Sequence, residues 1–239
     1  MQHISTSAEP HDQRSHDLRP HDWPALDDAV HHGQRLFRQL LSAMAEPGTI
    51  EEVSLSPLPE GVGLSRAAWG ALLALCDLDS RIWISNELNR DGMAEAIAFH
   101  TGARIVTQAD QADFALLTLQ SCQDLPSFAE GSDTHPDRST TLLVVLETLA
   151  NAKGQPSNNT GCWRLSGPGI ADTRMLELDA SAEVLMTRLK ANSGSFPRGL
   201  DTILTCSERL VAIPRSTRIE PLAGMASMDQ AAVCAEEDA

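Results

Sequence analysis

Lysine is almost absent from this chain: Lys153 and Lys190 are the two in 239 residues. A pyridoxal-phosphate enzyme needs a lysine for its internal aldimine, and that amine becomes nucleophilic only when burial or a neighbouring cation lowers its pKa. Lys153 lies in the polar run "NAKGQPSNNT" and Lys190 near the end of an amphipathic one, so neither fits. Basic charge is scarce as a whole, with 18 Lys+Arg against 33 Asp+Glu and a formal charge of −15. Such a chain repels nucleic acid phosphates and anionic membrane surfaces, and any anionic ligand needs a local arginine cluster.

The five cysteines, Cys76, Cys122, Cys162, Cys206 and Cys234, form no CxxC pair and are odd in number, which does not read as a disulfide framework. Cys76 and Cys206 read as core residues. No window approaches the roughly 18 apolar residues of a membrane span. The first residues carry no apolar core for a signal peptide, so a soluble, cytoplasmic protein with reduced thiols is expected. GxSxG and HExxH are both missing. "SGPGIADT" lacks the lysine and the following helix of a phosphate loop, and Pro168 removes an N–H donor. It reads as a tight corner after a strand, with Gly169 free to take a positive φ or to permit close backbone approach.

What is present alternates between helix and strand. Six of the eight histidines fall in the first 32 residues among aspartates. A divalent metal site is one reading of them, but residues 1–24 have little apolar material to hold ligands and are expected to be a disordered tail. Residues 25–220 are expected to be one α/β domain, and 221–239 an acidic, Ala-rich tail. Val30, Phe37, Leu40, Leu41 and Met44 predict a helix face that ends at Pro47-Gly48. "TIEEVSLSP" reads as a strand, and Ser65 as the N-cap of a helix striped by Trp69, Leu72, Leu73 and Cys76. "RIWIS", "ARIV", "DFALLTL", "WRLSG" and "MLELD" read as strands and "TTLLVVLETL" as a central one. A short helix over "GMAEAIAFHTG" closes at Gly102, and Ser181 opens another over "SAEVLMTRLKANSG". "ILTCSERLVAI" predicts two strands and a turn. The fold class is therefore α/β, one mixed β-sheet flanked by helices.

Polar residues inside apolar blocks are the site candidates: His100-Thr101, Arg198 and Arg215-Ser216-Thr217. An arginine with neighbouring hydroxyls can bind phosphate in forked geometry, and an arginine at a strand end can equally pair with a carboxylate.

Seven strings together resemble one family: "FRQLLSAMAEPG" (37–48), "LLALCDLDSRIWIS" (72–85), "FHTGA" (99–103), "ADFAL" (112–116), "LSGPGI" (165–170), "FPRGLD" (196–201) and "ILTCSERLVAIPRST" (203–217). The resemblance is to PhnH, the H subunit of the bacterial carbon–phosphorus lyase system of phosphonate catabolism, over roughly residues 30–220. It implies a fold like the large domain of pyridoxal-phosphate-dependent transferases without the cofactor lysine, and hence no pyridoxal phosphate or other cofactor. It also implies a homodimer that joins the G, I and J subunits in a core complex. With G, I and L, the H subunit supports displacement of adenine from ATP by a phosphonate, giving ribose 1-phosphonate 5-triphosphate, such as the 1-methylphosphonate. No catalytic residue and no metal ligand carries over. His100 of the FHT string and Arg215 and Thr217 of the IPRST string become candidate ligand or subunit contacts, Ser216 standing where Thr is commoner. The isolated chain is expected to be an inactive subunit of a transferase. The alternative is a stand-alone α/β protein that binds a small molecule or a metal.

Overall fold

The computed structural model describes residues 18–152 and 159–222. In chain order these form α1 (His31–Ala45), β1 (Glu51–Glu52), α2 (Arg66–Leu75), β2 (Arg81–Ile84), α3 (Met93–Thr101) and β3 (Arg104–Val106). Then come β4 (Phe114–Thr118), β5 (Thr141–Val145), β6 (Leu149–Asn151), β7 (Thr160–Ser166) and β8 (Arg174–Asp179). The described chain ends with α4 (Glu183–Ser195), β9 (Asp201–Cys206), β10 (Arg209–Ile213) and β11 (Arg218–Pro221).

Period-two patterning explains the layering. On β4, β5, β9 and β10 residues of both alternating sets are buried, so these strands are covered on both faces, as interior strands of a parallel-type sheet require. The seven-stranded mixed sheet has the order β1-β10-β9-β5-β4-β2-β3, with β9, β5, β4, β2 and β3 mutually parallel and β10 antiparallel to both of its neighbours, β9 and β1. Leu116, Leu143, Ile203 and Leu210 point into one core with α1, α2 and α3. Leu117, Leu142, Val144, Leu204 and Val211 point into the other.

That second core is closed by a feature the sequence does not announce. Instead of one mixed sheet there are two: β11-β7-β8-β6 form a separate antiparallel sheet that covers the opposite face, with α4 beside it. Trp163, Leu165, Leu176 and Leu178 are its inward residues. The apolar run "TTLLVVLETL" is accordingly split, its first half in the centre of the large sheet and Leu149 in the small one. The architecture is three-layered: helices, mixed sheet, antiparallel sheet.

Local rules hold where they are strong. Ser65 Oγ accepts from Ala68 N at 3.0 Å and donates to Thr205 Oγ1 at 2.8 Å, so one hydroxyl caps α2 and ties it to β9. Gly102, at φ +76°, ends α3, and a Cβ there would collide with Leu78 Cδ2 at 2.5 Å.

Four expectations are corrected. The buried row of α1 is His32, Leu36, Leu40 and Ala43, while Phe37 and Leu41 are 44% and 52% exposed. A helix with two apolar rows buries only the one facing its neighbours, here α2 and β10. The strand expected over "TIEEVSLSP" shrinks to two residues at the sheet edge. Ser181 does not cap α4. A 3₁₀ turn at Ala180–Ala182 leads into the helix with no side-chain cap bond. Finally, the expected tail is packed at its C-terminal end. Pro20–Asp22 form a 3₁₀ turn, and Trp23, 2% exposed, lies against Trp69 with ring centroids 4.9 Å apart. A single large aromatic buries enough area to hold a segment that is otherwise polar. Residues 1–17 and 223–239, with Cys234, lie outside the described residues, as does Lys153.

Candidate functional site

The strings "AEPG", "LSGPGI", "FPRGLD" and "IPRST" are far apart in sequence and meet at one corner of the fold. Pro214–Thr217 is a turn closed by Thr217 N donating to Pro214 O at 2.9 Å. Gly167 stands against Ser216 and Thr217, and Gly169, at φ +81°, packs its bare Cα on the Ala45 carbonyl and Pro47 at the end of α1. "GPG" is thus the corner after β7 that the sequence predicts, and the close approach to α1 is the reason for Gly169.

Arg215 is the centre of this corner. Its Nε donates to Asp201 Oδ1 at 3.1 Å and its Nη2 to Asp201 Oδ2 at 2.5 Å, a forked pair. Nη1 donates to the carbonyls of Pro136, at 2.7 Å, and Pro197, at 3.4 Å, and Nη2 also to Ser139 Oγ. The Arg215 backbone N–H donates to Asp201 Oδ1 at 2.8 Å. A guanidinium has five N–H donors, and these contacts occupy them. With side chains 12% and 19% exposed, Arg215 and Asp201 fasten three loops to the start of β9 and leave no fork for a phosphate. Thr217 belongs to the same turn but not to this network. It is 1% exposed, and its Oγ1 has no hydrogen-bond partner among the described residues. Arg198, the other arginine of the region, makes an exposed pair with Asp133 at 3.4 Å.

His100 is elsewhere. It lies on α3 over the β2–β3 side of the sheet, whereas Arg215 follows β10 on the other side. Its Nε2 donates to Pro20 O at 2.9 Å and its ring meets the edge of Trp69 at 5.4 Å, while Trp69 Nε1 donates to Pro24 O at 2.8 Å. His100 and Trp69 therefore hold the segment Leu18–Pro24 in place. Lys190 is exposed on α4, and Cys76 and Cys122 are buried; desolvation raises both thiols, Cys122 to about 12. Cys206 differs from the core position expected for it: at the end of β9 it is partly exposed, with Sγ 3.1 Å from Glu147 O.

One cavity was not foreseen. At the carboxyl ends of β2, β4 and β5 a cleft of about 530 Å³ is lined by Glu87, Arg90, Thr118, Leu119, Gln120, Gln123, Val145, Leu146, Glu147, Asp179, Ser181 and Gly63. The chain leaves β2 for β3 on one side and returns to β4 on the other, so the cleft sits where the strand order forks. Crevices at such forks are the usual ligand positions in open α/β sheets. The signal was in the sequence only as the residues that follow three of the predicted strands. Which runs are adjacent and parallel is not readable from local pattern.

Fold and sites define a three-layer α/β domain in which the described residues form no group of three or more His, Cys, Asp and Glu side chains placed to hold a metal ion. The chain belongs to the PhnH family of bacterial phosphonate metabolism proteins, which matches residues 24–220. It is 34% identical over 197 residues, covering 82% of this chain and 94% of the relative, to the alpha-D-ribose 1-methylphosphonate 5-triphosphate synthase subunit PhnH of Rhizobium meliloti (strain 1021).

Proposed function

We propose that this chain is the H subunit of a ribose 1-methylphosphonate 5-triphosphate synthase and acts in organic phosphonate catabolism only together with partner subunits. The observation that carries this is the coverage of the relative: the match extends over 94% of that subunit's length. Its partners are a second copy of the chain and the G, I and J subunits, with G, I and L needed for displacement of adenine from ATP. Its setting is the cytoplasm. Among the described residues no helix is long and apolar enough to cross a membrane.

The chemistry of the surface supports a subunit role. Phe37, Leu41, Leu78, Phe99 and Phe196 are large apolar side chains between 44% and 75% exposed, which partner subunits cover in this reading. The fold, by this reading, is that of the large domain of a pyridoxal-phosphate-dependent transferase from which the cofactor chemistry has gone. Lys190, the lysine among the described residues, is solvent-exposed, which leaves its amine without the burial that would activate it.

Purified alone, the chain is expected to sediment as a dimer, show no pyridoxal absorbance and turn over no ATP with methylphosphonate. Co-expressed with the G, I and J subunits, it co-purifies with them. Turnover by the isolated chain, or its failure to enter the complex, overturns the proposal.

A further inference from the structure

We infer that the cleft at the fork of the large sheet is a binding site for a small organic cation, an alkylammonium whose charge is met by Glu87, Glu147 and Asp179. This inference goes beyond the subunit role and stands or falls independently of it.

Three observations carry it. The first is position and size: about 530 Å³ at the carboxyl ends of β2, β4 and β5, where the strand order forks. The second is hydrogen bonding. Glu87 Oε2 is buried and has no hydrogen-bond partner among the described residues. Its backbone N–H, more than any other group, holds this carboxyl below the usual glutamate range, with smaller contributions from the hydroxyls of Ser85 and Ser121. The side chain is therefore an anion with an unused acceptor. A buried acceptor without a donor is unfavourable, so a ligand that brings a donor is favoured. Asp179 Oδ2, by contrast, already accepts the backbone N–H groups of Glu147 and Thr148, each at 3.1 Å.

The third is charge. Three carboxylates line the cleft against one guanidinium, Arg90, so a phosphate or carboxylate ligand is repelled and a cation attracted. An ammonium supplies three N–H donors and no acceptor, which matches this acceptor-rich wall; Leu119, Val145 and Leu146 offer apolar contact for its carbon chain. The Arg215 corner shows the converse: its donors are already occupied, and it offers a ligand nothing.

The test uses the full chain and 1,4-diaminobutane, with 1,4-butanediol as the uncharged probe of similar shape, followed by calorimetric titration at fixed ionic strength. Saturable binding of the diamine and none of the diol is expected. Glu87→Gln should weaken diamine binding by about tenfold or more, as loss of a hydrogen bond to a charged group does. Glu95→Gln removes the same charge from the exposed surface of α3 and should change binding by less than about twofold. If Glu87→Gln fails to melt cooperatively, Glu147→Gln, at an exposed position of the same cleft, replaces it with the same expected direction. Equal binding of the diol, equal effects of Glu87→Gln and Glu95→Gln, or no saturable binding each overturns the inference.

Discussion

The Arg215 corner and the strand-end cleft are both polar sites embedded in apolar blocks, and their hydrogen-bond balance separates them. At the corner the guanidinium donors and the Asp201 carboxylate are matched inside the chain. In the cleft an anionic oxygen is buried and unmatched. The first arrangement stabilises a particular geometry of loops; the second favours the arrival of a donor. An arginine in a motif string is therefore not by itself an anion site, and a wall of unremarkable residues can be the more open one.

The largest effect expected is at the corner. Arg215→Ala leaves Asp201 mostly buried without its partner and frees three loops, a loss of about 3–5 kcal/mol in denaturant unfolding. Should the variant keep its stability but fail to assemble with partner subunits, Arg215 is a contact residue and the contrast with the cleft collapses. Gly169→Val acts at the same corner. A β-branched side chain at φ +81° against the Ala45 carbonyl should abolish a cooperative melt or lower its midpoint sharply, before any ligand effect is seen.

Removal of residues 1–24 takes Trp23 from Trp69 and Pro20 from His100. The expected loss is about 3 kcal/mol, the scale of deleting a buried tryptophan, and an unchanged melt would mean that the segment is a tail after all. Glu87→Gln, in contrast, should leave unfolding stability within about 0.5 kcal/mol, because no bond to Oε2 is broken and the amide oxygen still accepts from the Glu87 backbone N–H. A large loss there would place Glu87 among structural residues like Asp201.

The smallest effect concerns exposed Asp77, whose carboxyl is held below the ordinary 3.8 by the Ser80 hydroxyl and then the Asp79 backbone N–H. A carboxyl whose folded pKa is depressed contributes stability above its unfolded value and loses it as pH falls through the folded one. The melting difference between wild type and Asp77→Ala should therefore be small near neutrality and vanish as the pH is lowered past 3.8.

Much of this fold was legible locally. The Ser65 cap, the Gly102 stop, the β9–β10 hairpin and the α/β alternation follow from side-chain period and backbone preference, which act over a few residues. The family was legible too, since its strings stand in order along the chain. The antiparallel sheet was not legible, because β6 continues the same apolar run as β5 and nothing local says where that run divides. Burial of Phe37 or of Leu36 was likewise open, as α1 carries two apolar rows and its neighbours choose between them.

Sequence alone determined most of the helices and the strands of the large sheet, the acidic balance, the scarcity of lysine and the role of "GPG" as a corner. Tertiary structure alone decided what Arg215, His100 and Glu87 face. A polar side chain's task depends on whether its donors and acceptors are met, and the groups that meet them here lie as many as 80 residues away in the chain.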